Sequence, residues 1–83
     1  MHDIVSMAPR PLSTLAPGED GLVQSILFGA LRALCSDIGI REGEAVHCRA
    51  GTGGMIVLDT QDGHTVSLAR DWARFIRIAP LMS

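Results

Sequence analysis

Residues 30–46 read ALRALCSDIGIREGEAV, and this stretch decides the fold because it holds a helix, its end and the start of a strand. Its apolar residues recur at steps of three and four, which is typical of one helical face: Leu31, Leu34, Cys35 and Ile38. Gly39 follows directly and can take the left-handed conformation that ends a helix. We therefore predict a helix over about 29–38 and a strand from Glu44 onward.

Short β segments surround this helix. Val- and Ile-rich runs bounded by turn residues predict strands at Gly21 to Leu27, Glu44 to Arg49, Met55 to Thr60, Thr65 to Leu68 and Ile76 to Ile78. The uneven alternation of the first run indicates a bulge, and Asp71 to Arg74 reads as one helical turn. No crossover helices separate these runs, so the sheet is expected to be antiparallel. A mainly β fold follows, a small, partly open antiparallel barrel with one short helix after the first strand.

The inward-facing positions of these elements predict one core. It is expected to contain Leu31, Leu34, Ile38, Val46, Ile56, Leu58, Val66, Leu68 and Ile76. On this basis, replacing Leu34 with alanine should lower the free energy of unfolding by about 2–4 kcal/mol.

Length and composition set limits on the molecule. The 83 residues suffice for one domain, expected over 12–80 after a tail at 1–11 in which nothing is periodic. The net charge of −2, without any run of basic residues, argues against a nucleic-acid partner. Neither an apolar run of membrane-spanning length nor a signal peptide is readable, so we expect a cytoplasmic protein. Cys35 and Cys48 do not form a C-x-x-C pair and are expected to be buried thiols.

Four segments, taken in order, resemble the FeoA family. Residues 12–21 match its opening pattern L-x-x-L-x-P-G-x-x-G, and residues 30–40 resemble its helix. Residues 41–46 match R-x-G-x-x-V, and residues 66–76 resemble the closing L-x-L-x-x-x-x-A-x-x-I. The resemblance covers about residues 12–78. It implies an SH3-like fold and a regulatory or assembly role as a partner of the membrane ferrous iron transporter FeoB. It also implies a cytoplasmic location, peripheral at the inner membrane through that partner.

A nucleic-acid-binding module is the alternative. Residues 38–46 also resemble the L-G-I-x-x-G-x-x-V of AbrB-type DNA-binding dimers, and a small barrel also resembles the C-terminal domain of iron-dependent repressors. AbrB-type chains carry basic residues before this segment, whereas here Arg10 is accompanied by the acidic Glu19 and Asp20. The absence of a cluster of basic residues favours the resemblance to FeoA over a nucleic-acid-binding module.

No pattern of an active site is readable, so we expect a protein that is not an enzyme and requires no cofactor. The loop at 51–54 has neither G-x-x-x-x-G-K-[ST] nor G-x-G-x-x-G, which argues against a phosphate site. Asp37 has no second positioned acid or base nearby in the sequence. We expect that the protein alone does not hydrolyse GTP.

A surface metal site is a further hypothesis. If the hairpin pairs Cys48 with Ile56, His47 lies on the outer face diagonal to Asp59, and His64 begins the next strand. Imidazole and carboxylate groups bind divalent metals, so these three side chains could hold zinc or ferrous iron weakly. Ordinary surface histidines are the alternative interpretation.

The expected partner surface is centred on Trp72, with Phe28 and Arg74 as weaker candidates. Trp72 is flanked by charged residues, so we expect it to be at least partly exposed. Its ring could cover a barrel opening as a lid, or it could anchor a protein contact, because Trp and Arg are enriched at binding hot spots. A homo-oligomer is a further expectation.

Overall fold

The computed structural model of the protein describes residues 9–81. Six strands and two helices follow one another in this part of the chain, together with a 3₁₀ turn at Leu12–Thr14. The elements are β1 (Arg10–Pro11), β2 (Asp20–Ile26), α1 (Gly29–Ile38), β3 (Ala45–Gly51), β4 (Met55–Thr60), β5 (Thr65–Ala69), α2 (Arg70–Ala73) and β6 (Ile76–Ala79). The fold is mainly β, as predicted, and SH3-like. None of the helices in residues 9–81 is both long and apolar enough to cross a membrane.

All six strands belong to one antiparallel sheet, in the order β1-β6-β2-β3-β4-β5. Within the described residues β1 and β5 do not pair, so the sheet is not closed, in keeping with the partly open barrel expected from the sequence. The predicted tail is too long. Arg10 and Pro11 pair with Ile78 and Arg77, which extends the folded domain to β1. Residues 1–8 of that predicted tail lie outside the described residues.

Helix α1 covers the predicted range and ends as predicted. Gly39 has a φ of 98°, and its amide donates to the carbonyl of Ser36. The amide of Ile40 donates to the carbonyl of Cys35 over 2.8 Å, which completes a Schellman motif. Ile40 is thereby turned into the core, where 1% of it remains exposed.

The core lies between the sheet, α1 and the 3₁₀ turn. Its buried apolar residues are Leu12, Leu15, Val23, Ile26, Leu31, Cys35, Ile40, Val46, Cys48, Ile56, Leu58, Leu68, Ala73, Ile76 and Ile78. Two residues of the predicted core, Ile38 and Val66, are half-buried. The prediction that Leu34 belongs to the core was wrong, because 44% of this residue is exposed. Helix α1 contacts the core along a narrow stripe, and Leu34 lies beside that stripe.

Two central strands of the sheet, β2 and β3, carry irregularities. The predicted bulge in β2 lies between Val23 and Ser25. A second shift in register, which the sequence did not reveal, follows Cys48 in β3. Strand β3 continues to Gly51, and Cys48 faces Leu58 rather than Ile56. The pairing expected from the sequence was therefore wrong by two residues, although each side chain keeps its predicted face.

Candidate partner-binding surface

Phe28 and Phe75 form an aromatic pair at the surface. Phe28 immediately precedes α1 in extended conformation, and half of its side chain is exposed. The ring centroids lie 5.0 Å apart with an interplanar angle of 72°, which is an edge-to-face arrangement. The guanidinium carbon of Arg74 lies 5.0 Å from the centroid of Phe75, within the range of a cation–π contact. Two of the three predicted partner-binding residues therefore meet at Phe75.

The backbone holds this arrangement in place. The amide of Leu27 donates to the carbonyl of Phe75 over 3.1 Å, which joins the end of β2 to the segment between α2 and β6. The amide of Phe75 donates in turn to the carbonyl of Trp72. Sequence reasoning placed Phe28 at the opposite junction from Trp72 and missed Phe75. The sequence feature that could have identified Phe75 is its position directly after Arg74 and one helical turn after Trp72.

Trp72 is half exposed, as predicted, with 50% of its surface accessible. Its neighbour Ala73 is fully buried, so α2 presents one small residue to the core and carries its tryptophan outward. We refer to Phe28, Trp72, Arg74 and Phe75 as the aromatic–arginine patch. An exposed tryptophan in the same short segment as an arginine stacked on a phenylalanine has the composition of a protein-binding surface.

Charge pairing distinguishes Arg74 from most arginines of the described part of the chain. Exposed arginines elsewhere lie within ion-pair distance of a carboxylate: Arg10 of Glu19, Arg32 of Glu42, Arg41 of Glu44 and Asp62, and Arg49 of Asp59. Within residues 9–81 no carboxylate lies that close to Arg74. Its guanidinium rests on Phe75 instead.

The predicted metal ligands do not form a ligand set. His47 Nδ1 lies 2.6 Å from Asp20 Oδ1. Asp59 accepts hydrogen bonds from Arg49 Nε and from the Thr65 hydroxyl, at 3.0 and 2.8 Å. His64 lies in the turn before β5. Among the described residues, no three His, Cys, Asp or Glu side chains converge as metal ligands.

The contact between His47 and Asp20 was visible only in the fold. His47 faces Asp59 across β3 and β4, and Asp20 across β2 and β3. Asp20 is 27 residues from His47 in the sequence, so no local pattern revealed it. The pKa of Asp59 is held below its ordinary value, mainly by the hydrogen bond from Arg49 and then by that from Thr65. A carboxylate so engaged has less capacity for a metal ion.

Both cysteines are buried and free, as predicted. Burial raises the pKa of the Cys35 thiol and of the Cys48 thiol. A raised pKa keeps a thiol protonated, and the protonated form is a poor nucleophile and metal ligand. These two residues therefore act as small apolar side chains of the core.

A surface depression of about 510 Å³ lies apart from the aromatic–arginine patch. It is lined by Arg10, Glu19, Asp20, Ile78, Ala79, Pro80 and Leu81. Its charged side chains already have partners, since Arg10 pairs with Glu19 and Asp20 with His47. It contains none of the residues of the aromatic–arginine patch.

Comparison with known proteins agrees with this architecture. A model of the FeoA domain matches residues 10–80. A crystal structure of an iron uptake regulatory protein, FeoA, superposes with a TM-score of 0.82 at 24% identity, covering 89% of this chain and 100% of that one. An FeoA-like protein from Clostridium acetobutylicum superposes with a TM-score of 0.78 at 20% identity, covering 90% of each chain.

A repressor shares the same fold. A manganese-dependent transcriptional repressor superposes with a TM-score of 0.80 at 25% identity, covering 88% of this chain and 41% of the repressor. The likeness is thus to one part of a longer protein. Among curated proteins, no sequence matches the chain.

Proposed function

The chain belongs to the FeoA domain family, which links it to ferrous iron transport, and from that premise we propose that it binds the membrane ferrous iron transporter FeoB. In this proposal the protein acts at the cytoplasmic face of the membrane and regulates or assembles the transporter. It works by contact, without enzymatic turnover and without a cofactor of its own.

The observation that carries the proposal is the stacking of Arg74, Phe75 and Phe28 at the surface. Two aromatic rings in edge-to-face contact are rigid, so little side-chain freedom is lost when a partner covers them. Half of Phe28 and half of Trp72 remain exposed, which leaves apolar area to bury. Arg74 adds a charged donor that a carboxylate of the partner can accept.

Binding to purified FeoB in detergent or nanodiscs tests the proposal. We expect Phe28→Ala and Trp72→Ala each to weaken binding by about 30-fold, as hot-spot residues do. Arg74→Glu should weaken it further, because an acidic partner group would then face a carboxylate. Met55→Ala is the matched control: Met55 is an exposed apolar residue of β4, outside the patch, and its loss should leave the affinity unchanged.

The variants must be shown to fold before binding is compared, by circular dichroism and thermal unfolding. Wild-type protein that does not bind FeoB at all would overturn the proposed function. Binding that survives all three patch substitutions at full strength would leave the partner in place but assign the contact to another surface.

The fold shared with a manganese-dependent repressor keeps a nucleic-acid-binding module as the second candidate. Against it stand the net charge of −2 and the engagement of most exposed arginines with carboxylates. Retention on immobilised DNA that falls as salt rises would favour this candidate, because phosphate contacts release counterions. We expect no such retention at physiological salt.

A further inference from the structure

We propose that the outer edge of β5 is a self-association surface, on which a second copy of this chain pairs antiparallel to form a transient dimer. Strand β5 pairs with β4 along one side. Within residues 9–81 no strand pairs with its other side. This inference rests on the sheet alone and does not depend on FeoB.

The hydrogen bonds that flank the β4–β5 ladder reveal which backbone groups face outward. The amide of Thr60 donates to the carbonyl of His64, and the amide of Arg70 donates to that of Gly54. Bonded and non-bonded pairs alternate in an antiparallel ladder. When this alternation is followed along the ladder from His64 or from Arg70, the backbone groups of Val66 and Leu68 are the ones that bond to β4. The backbone N–H and C=O groups of Thr65, Ser67 and Ala69 therefore point to the open edge.

Among the possible registers for a second copy, one pairs all of these outward groups. With Ser67 on a twofold axis, Ser67 pairs with Ser67 of the other copy, and Thr65 pairs with Ala69 in both directions. All three outward residues are then bonded pairs, which gives up to about six hydrogen bonds. Val66 faces Leu68 of the other copy, so the inward apolar rows of the two sheets continue into each other. A twofold centred on Val66 would pair Thr65 with Ser67 in both directions but leave Ala69 without a partner in β5, so it offers only about four hydrogen bonds.

The composition of β5 favours such pairing. Edge strands are ordinarily protected by charge, proline, a bulge or short length. The opposite edge, β1, has two residues, an arginine and a proline. Strand β5 reads TVSLA, has neither charge nor proline, and pairs with β4 over five residues without a bulge. The exposed side chains of Thr65 and Ser67 are small and uncharged, so a second strand can approach.

Sedimentation velocity of the full chain tests the proposal. A five-residue strand contact buries less than the roughly 1,000 Å² of a stable interface, so association is expected only as concentration rises towards about 1 mM. Ser67→Pro removes an outward N–H and spares the ladder with β4, because proline is tolerated where an edge N–H faces solvent. We expect this variant to remain monomeric, whereas the control Ser67→Thr, which keeps the N–H, should associate at least as strongly as wild type.

Amide exchange of the wild-type protein gives a second measurement that needs no variant. Protection of the Thr65, Ser67 and Ala69 amides should increase with concentration, while that of Val66 and Leu68 should stay high throughout. A wild-type chain that is monomeric at about 1 mM would overturn the proposal. So would a dimer that Ser67→Pro leaves intact, or outward amides whose exchange does not depend on concentration.

Discussion

The Nη1 atom of Arg70 donates a hydrogen bond of 2.6 Å to the carbonyl oxygen of Ser13, which lies 57 positions earlier in the chain. Its Nε donates to the carbonyl of Thr52 over 2.5 Å. One guanidinium thus joins the start of α2 to the 3₁₀ turn and to the β3–β4 loop. Gly51 makes room for it, because a Cβ at that position would lie 2.5 Å from Nη2.

Replacing Arg70 with alanine is expected to lower the free energy of unfolding by about 1–3 kcal/mol, since two carbonyl groups lose a charged donor. Arg49→Ala is the matched control. Arg49 is exposed and pairs with Asp59 at the surface, so its loss should cost less than about 1 kcal/mol. Urea unfolding monitored by circular dichroism compares the two. An equal loss of unfolding free energy in the two variants would show that the contact between Arg70 and Ser13 stabilises the fold no more than a surface ion pair does.

The two leucines of α1 should respond differently to truncation. Leu31 is 2% exposed, so Leu31→Ala should lower the free energy of unfolding by about 2–4 kcal/mol. Leu34 is 44% exposed, and Leu34→Ala should cost less than about 1 kcal/mol. Thermal and urea unfolding measure both. A larger loss at Leu34 than at Leu31 would contradict the orientation of the helix.

The left-handed conformation of Gly39 predicts an intolerance to side chains. Gly39→Ala should lower the free energy of unfolding by about 1 kcal/mol or more, because φ is 98°. The added methyl would meet Thr60 at an ordinary 3.5 Å, so the cost arises in the backbone. Gly29→Ala, at the open start of α1, is the control and should be neutral or stabilising. Equal stability of Gly39→Ala and Gly29→Ala would contradict the left-handed conformation of Gly39.

Asp59 should titrate below its ordinary pKa of 3.8, principally because Arg49 donates a hydrogen bond to it. A pKa lowered in the folded state stabilises the protein above the unfolded-state pKa, and this stabilisation is lost as the pH falls through the folded-state value. Arg49→Ala should therefore raise the pKa of Asp59 towards 3.8, and Thr65→Val should raise it less. NMR titration of the carboxyl carbon measures both shifts, and an unchanged pKa in Arg49→Ala would exclude the pair in solution.

Trp72 is expected to anchor a contact rather than to close the core as a lid. With half of its surface exposed, Trp72→Ala should change the melting temperature by no more than a few degrees. Differential scanning calorimetry measures this, with Ile76→Ala as the buried control that should unfold at a clearly lower temperature. A comparable fall in the melting temperature for Trp72→Ala would support the lid.

Helix α1 and its end followed from local chemistry. The bounds Gly29–Ile38 and the positive φ of Gly39 depend on residues within one or two turns, so the sequence contained the information needed. The same holds for most strands and for the bulge in β2. Family resemblance then linked these local elements to one known fold.

Which residues meet was decided by the tertiary structure. The direction in which Leu34 points depends on where α1 rests on the sheet, and the pairing of His47 with Asp59 depends on the bulge after Cys48.

Contacts between distant segments gave no local signal. Phe28 reaches Phe75, and Arg70 reaches Ser13, across 47 and 57 positions of the chain. The sequence by itself determined the elements, because the conformation of each depends on its neighbours in the chain. Only the fold decided the patch and the open edge of β5, because both arise where segments far apart in the sequence lie side by side or fail to pair.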